Sequence, residues 1–296
     1  MDIERLESQR ATVGEGFEIR RALPNRRRRM VGAWCFLDHA GPADYAAGRG
    51  LVVGPHPHIG LQTFSWMIEG SILHTDSLGY RQWIQPGQVN LMTAGRGIAH
   101  AEESPADAPG RFQLAQLWIA LPDAERHREP AFQHYPDLPI LDRGGFRITV
   151  LAGRFAGERA PAAVYSPLVG IDIAAAGPAR TELELDPAFE HGAMALEGDV
   201  TVGGEPLAAG ELLCFRPGRG RLDVEARAAA RLLLIGGAPF GEEVLLWWNF
   251  VARTYGEMET ATRDWLEGDR FGEVRGARGA RLVAPDLKGL RLRDAR

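Results

Sequence analysis

The sequence lacks several features that would assign it to well-known classes of protein. No apolar run approaches the 18 residues that a membrane-spanning helix needs, and the first five residues (MDIER) are charged where a secretory signal has an apolar segment. The two cysteines, Cys35 and Cys214, have no CxxC partner, which argues against a zinc or redox motif. We therefore expect a cytoplasmic protein without a membrane segment, in which both thiols are buried and reduced.

Lysine is almost absent as well, because Lys288 is the only lysine among 34 basic residues. We interpret the arginine excess first as genomic codon bias and only second as phosphate recognition. The formal net charge is −5, whereas a general nucleic-acid binder normally has a basic domain, so we expect no direct binding to nucleic acid. The densest basic run, residues 26–29, precedes an apolar segment and is typical of a solvated strand or sheet edge.

The chain instead has many short apolar segments separated by glycine and proline turns. This pattern is typical of a β-sandwich or barrel, and 296 residues can form one large β domain or two smaller ones. An internal repeat favours two domains: LEGDV at 196–200 echoes IEGSI at 68–72, and AAGELL at 208–213 echoes QPGQVN at 85–90. We predict domains at 1–135 and 136–250, of which only the first has a metal site.

The C-terminal residues 251–296 are predicted to form a short helix and a tail. Thr254 and Glu257 have the spacing of a capping box, which would begin a helix that continues to about Leu266 and stops near Gly268. From Asp269 onward the sequence is rich in glycine and arginine, and we expect a poorly packed tail.

Two short strings, HPH at 56–58 and HAE at 100–102, predict a metal site. Side chains two residues apart share one face of a strand, so each string presents a pair of metal-capable groups together. The alternative is that each histidine is an ordinary hydrogen-bonded core residue. Burying four polar groups without partners would cost roughly 1–3 kcal/mol each, which a shared cation would largely remove. We therefore predict that one divalent metal is held by His56, His58, His100 and Glu102.

Other polar and aromatic residues receive weaker predictions. His74 and Asp76 form a further same-face pair, for which we expect hydrogen bonding next to the metal site rather than ligation. His39 stays undecided, and the isolated histidines are predicted to lie at the surface: His127, His134 and His191. Four apolar side chains are candidates for a substrate pocket, although core packing is favoured for each: Phe64, Trp66, Trp83 and Met92.

These strings together resemble the pirins, a bicupin family within the cupin superfamily. The matching stretches are HPHIGLQTFSWMIEG (56–70), LHTDSLG (73–79), PGQVNLMTAGRGIAHAEES (86–104), QLWIALP (116–122) and GEEVLLWWNFV (241–251). The resemblance implies an all-β fold of two antiparallel cupin β-barrels, here with a short C-terminal helix. It also implies one mononuclear metal in the N-terminal barrel, usually Fe(II), at the same four ligands. The donor set itself would also suit Mn, Ni, Cu or Zn.

The resemblance implies an activity and leaves an alternative. Pirins similar to this chain have been assigned quercetin 2,3-dioxygenase activity, in which a small aromatic flavonol or catechol-like substrate and O2 react at the metal, and Glu102 could accept the substrate's proton. The alternative is a non-enzymatic metal- or redox-sensing regulator that binds a protein partner through residues 26–29 or the tail. One departure is Gln62, where many pirins have glutamate, which puts an additional role of that carboxylate in doubt.

Overall fold

The computed structural model describes residues 3–287, which are built almost entirely of β-strands. In chain order the elements are β1 (Ile3–Glu7), β2 (Gln9–Val13), β3 (Phe17–Leu23), β4 (Trp34–Tyr45), β5 (Val52–His58), β6 (Leu61–Glu69), β7 (Ile72–Asp76), β8 (Arg81–Ile84), β9 (Val89–Thr93), β10 (Ile98–Glu103), β11 (Gly110–Ala120), β12 (Ala131–Tyr135), β13 (Ile140–Arg143), β14 (Phe146–Ala152), β15 (Arg154–Phe155), β16 (Glu158–Arg159), β17 (Leu168–Ala175), β18 (Ala179–Glu184), β19 (Glu190–Glu197), β20 (Val200–Val202), β21 (Glu205–Leu207), β22 (Glu211–Phe215), β23 (Arg221–Ala226), β24 (Ala230–Gly237), β25 (Leu245–Trp247), β26 (Phe250–Ala252) and the helix α1 (Tyr255–Glu267).

The described residues divide into two compact units that do not follow the simple chain order of the predicted domains. The first unit contains residues 10–19, 40–136 and 242–287, and the second contains residues 3–9, 20–39 and 137–241. The second unit recruits N-terminal residues because β1 pairs with β22, with Ile3 opposite Phe215. Such a pairing joins residues more than 200 positions apart, and local sequence patterns do not reveal it.

The first unit contains a four-stranded sheet in the order β5-β10-β7-β8. The strands β12-β9-β6-β11 belong to a seven-stranded sheet that continues through β4, β3 and β2, and the chain passes between the units within β3 and β4. Met67 and Leu114 of the larger sheet share a buried core with Ile72 and Ile84 of the smaller one. The two sheets therefore form a sandwich of cupin type and are not closed into a barrel in the described residues.

The second unit has the same plan, as the internal repeat predicted. A seven-stranded sheet in the order β1-β22-β19-β24-β17-β14-β13 shares one core with a four-stranded sheet in the order β18-β23-β20-β21. The repeated glycines occupy equivalent turns, because Gly70 (φ 84°) links β6 to β7 and Gly198 (φ 66°) links β19 to β20. The predicted all-β, two-cupin fold with a short helix is confirmed.

The helix α1 begins and ends where the sequence predicted. The side chain of Thr254 accepts a hydrogen bond from the backbone N–H of Glu257 in a complete capping box, and Gly268 is the C-cap. Buried residues of α1 pack against β25, β26 and the tail: Met258, Ala261 and Trp265. In residues 3–287 no helix is long and apolar enough to cross a membrane.

The prediction of a poorly packed tail is wrong for the described residues. Phe271 and Leu287 are buried, and the indole N–H of Trp265 donates to the carbonyl of Leu282 at 2.8 Å. The backbone N–H of Leu282 in turn donates to the carbonyl of Pro55 at 2.9 Å. The tail thus docks on β5, within the first unit.

Both cysteines are buried and free, as predicted. Burial raises the pKa of the Cys214 thiol to about 12, so this thiol stays protonated and unreactive at neutral pH.

Candidate metal centre

Three adjacent antiparallel strands of the first unit bring the predicted site residues together. In the ladder between β5 and β10, His100 lies opposite His56. On its other side β10 pairs with β7, where His100 lies opposite Asp76 and Glu102 lies opposite His74. Strand alternation therefore places both metal-capable strings and the additional pair in one small region, as the spacing of two residues predicted.

The three histidines of these strings form a compact buried group. One ring nitrogen from each of His56, His58 and His100 lies within 4.8 Å of the others. The Nε2 atoms of His58 and His100 are 3.1 Å apart, and all three side chains are nearly inaccessible to solvent. Among the described residues, this is the only close group of three or more His, Cys, Asp or Glu.

Backbone carbonyls orient two of these rings. The Nδ1 of His56 donates to the carbonyl of Gly54 at 2.9 Å, and the Nδ1 of His58 donates to the carbonyl of Asn249 at 2.9 Å. A proton on Nδ1 leaves the Nε2 lone pair of each neutral ring available as a metal ligand. Such hydrogen bonds on the other ring nitrogen are usual for histidines that bind metal.

The electrostatics of the group suit a cation. Burial lowers the pKa of His56 to about 4 and holds the pKa values of His58 and His100 well below their usual range. The rings are therefore neutral at pH 7, and the Nε2 atoms of His58 and His100 lie 3.1 Å apart. The His100 tautomer decides whether this contact is a hydrogen bond or a pair of free lone pairs. Neutral imidazole nitrogens that carry no proton are usual ligands of divalent metals, so the donor set fits a shared divalent metal.

His74 and Asp76 extend this group by hydrogen bonds, as predicted for the pair. The Nε2 of His74 lies 3.0 Å from Oδ2 of Asp76, and its Nδ1 lies 3.3 Å from Nδ1 of His100. The ring of Phe132 stacks on His74 with centroids 4.2 Å apart and an interplanar angle of 12°. His74 is thus fixed by contacts at both nitrogens and on one face.

Glu102 is buried near the histidines but is not a member of their close group. Its Oε1 lies 3.5 Å from Oγ of Ser65, whose shorter hydrogen bond, at 2.8 Å, is donated to Oε1 of Gln116. Because burial disfavours the ionised form, the pKa of Glu102 is raised to about 7. Ligation of a metal by Glu102 stays a prediction.

The histidines outside the site follow the predictions only in part. His127 is exposed, and the half-buried His134 bonds to Oδ1 of Asn90 at 2.8 Å. The surface prediction for His191 is wrong: its side chain faces the core of the second unit opposite Phe215 and is fully buried, which lowers its pKa to about 4. His39, which the sequence left undecided, is also buried.

The four apolar candidates for a substrate pocket also follow the core-packing prediction only in part. Phe64, Trp66 and Met92 are buried, as core packing predicts, whereas Trp83 on β8 is 40% exposed and is not a core residue. Besides Phe132 on His74, Trp118 contacts the site, and its ring meets His58 edge-on with centroids 5.1 Å apart. Sequence reasoning missed Trp118 and Asn249, although both lie in strings that match the pirins.

Comparisons with known proteins agree with this geometry. Residues 16–119 match the Pirin family model, and residues 170–272 match that of the Pirin C-terminal cupin domain. The chain belongs to the pirin family. A Pseudomonas aeruginosa relative with the provisional name quercetin 2,3-dioxygenase is 53% identical over 286 residues, which cover 96% of this chain and 90% of the relative. A pirin-like protein of Caulobacter vibrioides is 37% identical, over 85% of this chain and 89% of its own length.

Solved structures have the same fold as this pirin. A crystal structure described as quercetin 2,3-dioxygenase from Acinetobacter baumannii has a TM-score of 0.96 and 50% identity, and covers 99% of this pirin and 98% of its own chain. The Escherichia coli bacterial pirin YhhW, solved in complex with nickel(II), has a TM-score of 0.63 and 20% identity over 80% of this pirin and 99% of its own chain. The latter likeness concerns the fold alone.

Proposed function

We propose that this pirin is a cytoplasmic, metal-dependent dioxygenase of the quercetin 2,3-dioxygenase type, which uses O2 to cleave a flavonol or catechol-like ring. The observation that carries the proposal is the buried group of neutral imidazoles at His56, His58 and His100, whose ligand atoms converge within 4.8 Å. The names of the Pseudomonas and Acinetobacter relatives support the same reaction class.

In this proposal the three histidines hold one divalent metal, and Glu102 supplies the fourth ligand. A bound metal would supply Lewis acidity toward a substrate oxygen and positions for small ligands. We propose Fe(II) as the cellular metal, while the imidazole and carboxylate donors also accept Mn, Ni, Cu or Zn.

The surrounding residues would handle the proton and the aromatic ring of the substrate. The hydroxyl proton of Ser65 is donated to Gln116, so Glu102 keeps an oxygen that has only a weak hydrogen bond at 3.5 Å. Glu102 could therefore accept the proton of the substrate hydroxyl, as a general base must lie within reach of that proton. Trp118, next to His58, offers an aromatic surface at the same place.

Anaerobic purification followed by metal analysis and a turnover assay tests the proposal. We expect one metal per chain and, after addition of quercetin and O2, a metal-dependent loss of flavonol absorbance. His56→Ala should bind no stoichiometric metal and show no turnover, whereas His127→Ala, which changes an exposed histidine of the same unit, should behave as the wild type.

Two results would contradict parts of the proposal. A full equivalent of metal in His56→Ala would remove His56 from the ligand set. Stoichiometric metal without turnover of any flavonol or catechol would overturn the dioxygenase and leave the regulator that binds a protein partner as the function to test.

A further inference from the structure

A chain of buried hydrogen bonds connects His100 to a carboxylate that does not belong to the close histidine group. Asp76 lies 3.0 Å from His74, which in turn lies 3.3 Å from His100. The exposed fractions of Asp76, His74 and His100 are 2%, 3% and 1%. Water therefore does not compete for these bonds, and the protons along the chain must be distributed so that each contact has one donor and one acceptor.

The backbone around Asp76 fixes the direction of this chain. Oδ1 of Asp76 accepts the backbone N–H groups of Leu78 and Tyr80, both at 3.0 Å, which leaves Oδ2 for His74. Oδ2 of Asp76 accepts, so the Nε2 of His74 carries a proton, and a ring with this single proton presents a lone pair at Nδ1. His100 must then donate from its own Nδ1.

We propose that Asp76 and His74 are positioning residues that fix the tautomer of His100 and thereby reserve its Nε2 for the metal. This inference rests on the metal site of the proposed function and adds two residues that act on it through His100. His56 and His58 obtain the same tautomer directly from backbone carbonyls. His100 has no such carbonyl bond among its hydrogen bonds to described residues, and the Asp76–His74 pair takes that role.

Packing keeps the pair from adopting another arrangement. Phe132 stacks on the ring of His74 at 4.2 Å, and the ladder between β7 and β10 sets Asp76 directly opposite His100. A rotation of the His74 ring would break both of its nitrogen contacts. The pair therefore has one orientation, which is what a ligand-positioning group requires.

Asp76→Asn tests the donor and acceptor directions of the hydrogen bonds between Asp76, His74 and His100, because asparagine has almost the same shape as aspartate. The two backbone N–H groups need an acceptor, so the amide oxygen takes the place of Oδ1 and the NH2 group must face His74. Nε2 of His74 then becomes an acceptor, Nδ1 becomes a donor, and His100 is driven to carry its proton on Nε2. That nitrogen can no longer bind metal without breaking a buried hydrogen bond.

His74→Phe gives a contrasting variant. Phenylalanine can keep the stacking on Phe132 but has no ring nitrogen that could bond to His100. His100 therefore stays free to carry its proton on Nδ1. We expect this variant to lose less metal affinity than Asp76→Asn. In the double variant, Asp76→Asn cannot exchange the donor and acceptor nitrogens of a histidine at position 74. Asp76→Asn should therefore cause little further loss of metal affinity beyond that of His74→Phe.

The measurement is a titration of the metal-free full-length protein with Co(II), in competition with a chromophoric chelator. Outer partners of metal ligands typically contribute 10- to 100-fold in affinity, so we expect the Kd to rise by about 100-fold in Asp76→Asn and by about tenfold in His74→Phe and in the double variant. The visible Co(II) spectrum should change in Asp76→Asn, because one nitrogen ligand is lost. Asp44→Asn, at an exposed carboxylate, is the matched control and should leave the Kd and the spectrum unchanged.

The outcomes separate this inference from the proposed function. Failure of the wild type to bind any metal would refute the metal centre itself. A wild type that binds Co(II), together with an unchanged Kd in Asp76→Asn, would overturn only the positioning role. The positioning role would also be overturned if Asp76→Asn raised the Kd by the same factor in the wild type and in His74→Phe. The carboxylate would then act through the backbone turn at Leu78 and Tyr80 and not through His74. Thermal unfolding of each metal-free variant shows whether the fold is retained.

Discussion

Gly54 is a position at which a single methyl group should detach the C-terminal tail. A Cβ atom built on Gly54 would lie 1.9 Å from the carbonyl oxygen of Ala280, whereas real Cβ contacts essentially never fall below 3.0 Å. The approach is reciprocal, because a Cβ on Gly279 would lie 2.7 Å from the Cα of Gly54. In Gly54→Ala one of the two backbones must therefore move by about 1.1 Å.

The tail is the backbone that should move. Strand β5 is paired with β10 on both sides of Gly54, at Val53 and at His56. The tail is held there by the bond from Leu282 to Pro55 and by the bonds of Arg278 to Glu103 and Ser104. Forcing extra atoms into a packed site costs about 1–3 kcal/mol. A loss of about 2 kcal/mol would lower the melting temperature by roughly 4–8 °C for a protein of this size class.

Thermal unfolding and limited trypsin digestion measure these effects. We expect Gly54→Ala to melt earlier and to be cut in the tail, which contains Arg275, Arg278 and Arg281, while it still binds a full equivalent of metal because β5 stays in place. Gly256→Ala is the matched control: nothing outside the helix lies within 4 Å of its added Cβ, and a helix favours alanine, so its stability should be equal or slightly higher. Unchanged melting and unchanged tryptic resistance in Gly54→Ala would refute the close seating of the tail on β5. Loss of metal with an intact tail would show that the strand moves instead.

Two further predictions concern the site and the helix. Glu102→Gln keeps the shape of the side chain but removes its charge, so we expect weaker metal binding by competition titration and suppressed turnover of quercetin; unchanged turnover would remove Glu102 from the mechanism. Thr254→Ala removes the side-chain acceptor for the N–H of Glu257 and should destabilise the protein by about 1 kcal/mol in chemical denaturation, whereas Thr254→Ser should restore most of that loss.

The sequence predicted the close approach of the histidines because the relevant rule is local and strong. Alternation along a strand places His56 with His58 on one face, and the turns between the two strings leave enough chain for β10 to return beside β5. The capping box predicted α1 for the same reason, since Thr254 and Glu257 contact each other within one helical turn.

Features that depend on distant contacts could not be predicted in this way. Orientation of His58 depends on the carbonyl of Asn249, which is 191 positions away, and the docking of the tail depends on a pair of glycines that no periodicity marks. An isolated histidine such as His191 is predicted to lie at the surface, yet β19 carries it into a core. Core packing is the favoured prediction for Trp83 as well, but on β8 its side chain is 40% exposed.

The second unit shows what this architecture contains in place of the histidines. Its four-stranded sheet, β18-β23-β20-β21, corresponds strand by strand to β5-β10-β7-β8 of the first unit. Where the first unit has its histidine strings on β5 and β10, the second has Leu183 on β18 with Leu222 and Val224 on β23, all buried in the core. Where the first has His74 and Asp76 on β7, the second has buried Val200 and Val202 on β20.

Aliphatic side chains thus suffice to fill the interior of such a sheet pair. Burying a polar group without a partner costs roughly 1–3 kcal/mol, so the polar residues of the first unit lower its stability unless something pairs with them. Hydrogen bonds satisfy Asp76 and His74, and Nδ1 of each of the three close histidines, while the Nε2 atoms of His58 and His100 have only each other as partners among the described residues, at 3.1 Å. A cation satisfies both atoms at once, and metal binding should therefore raise the melting temperature of the wild type but not that of His56→Ala.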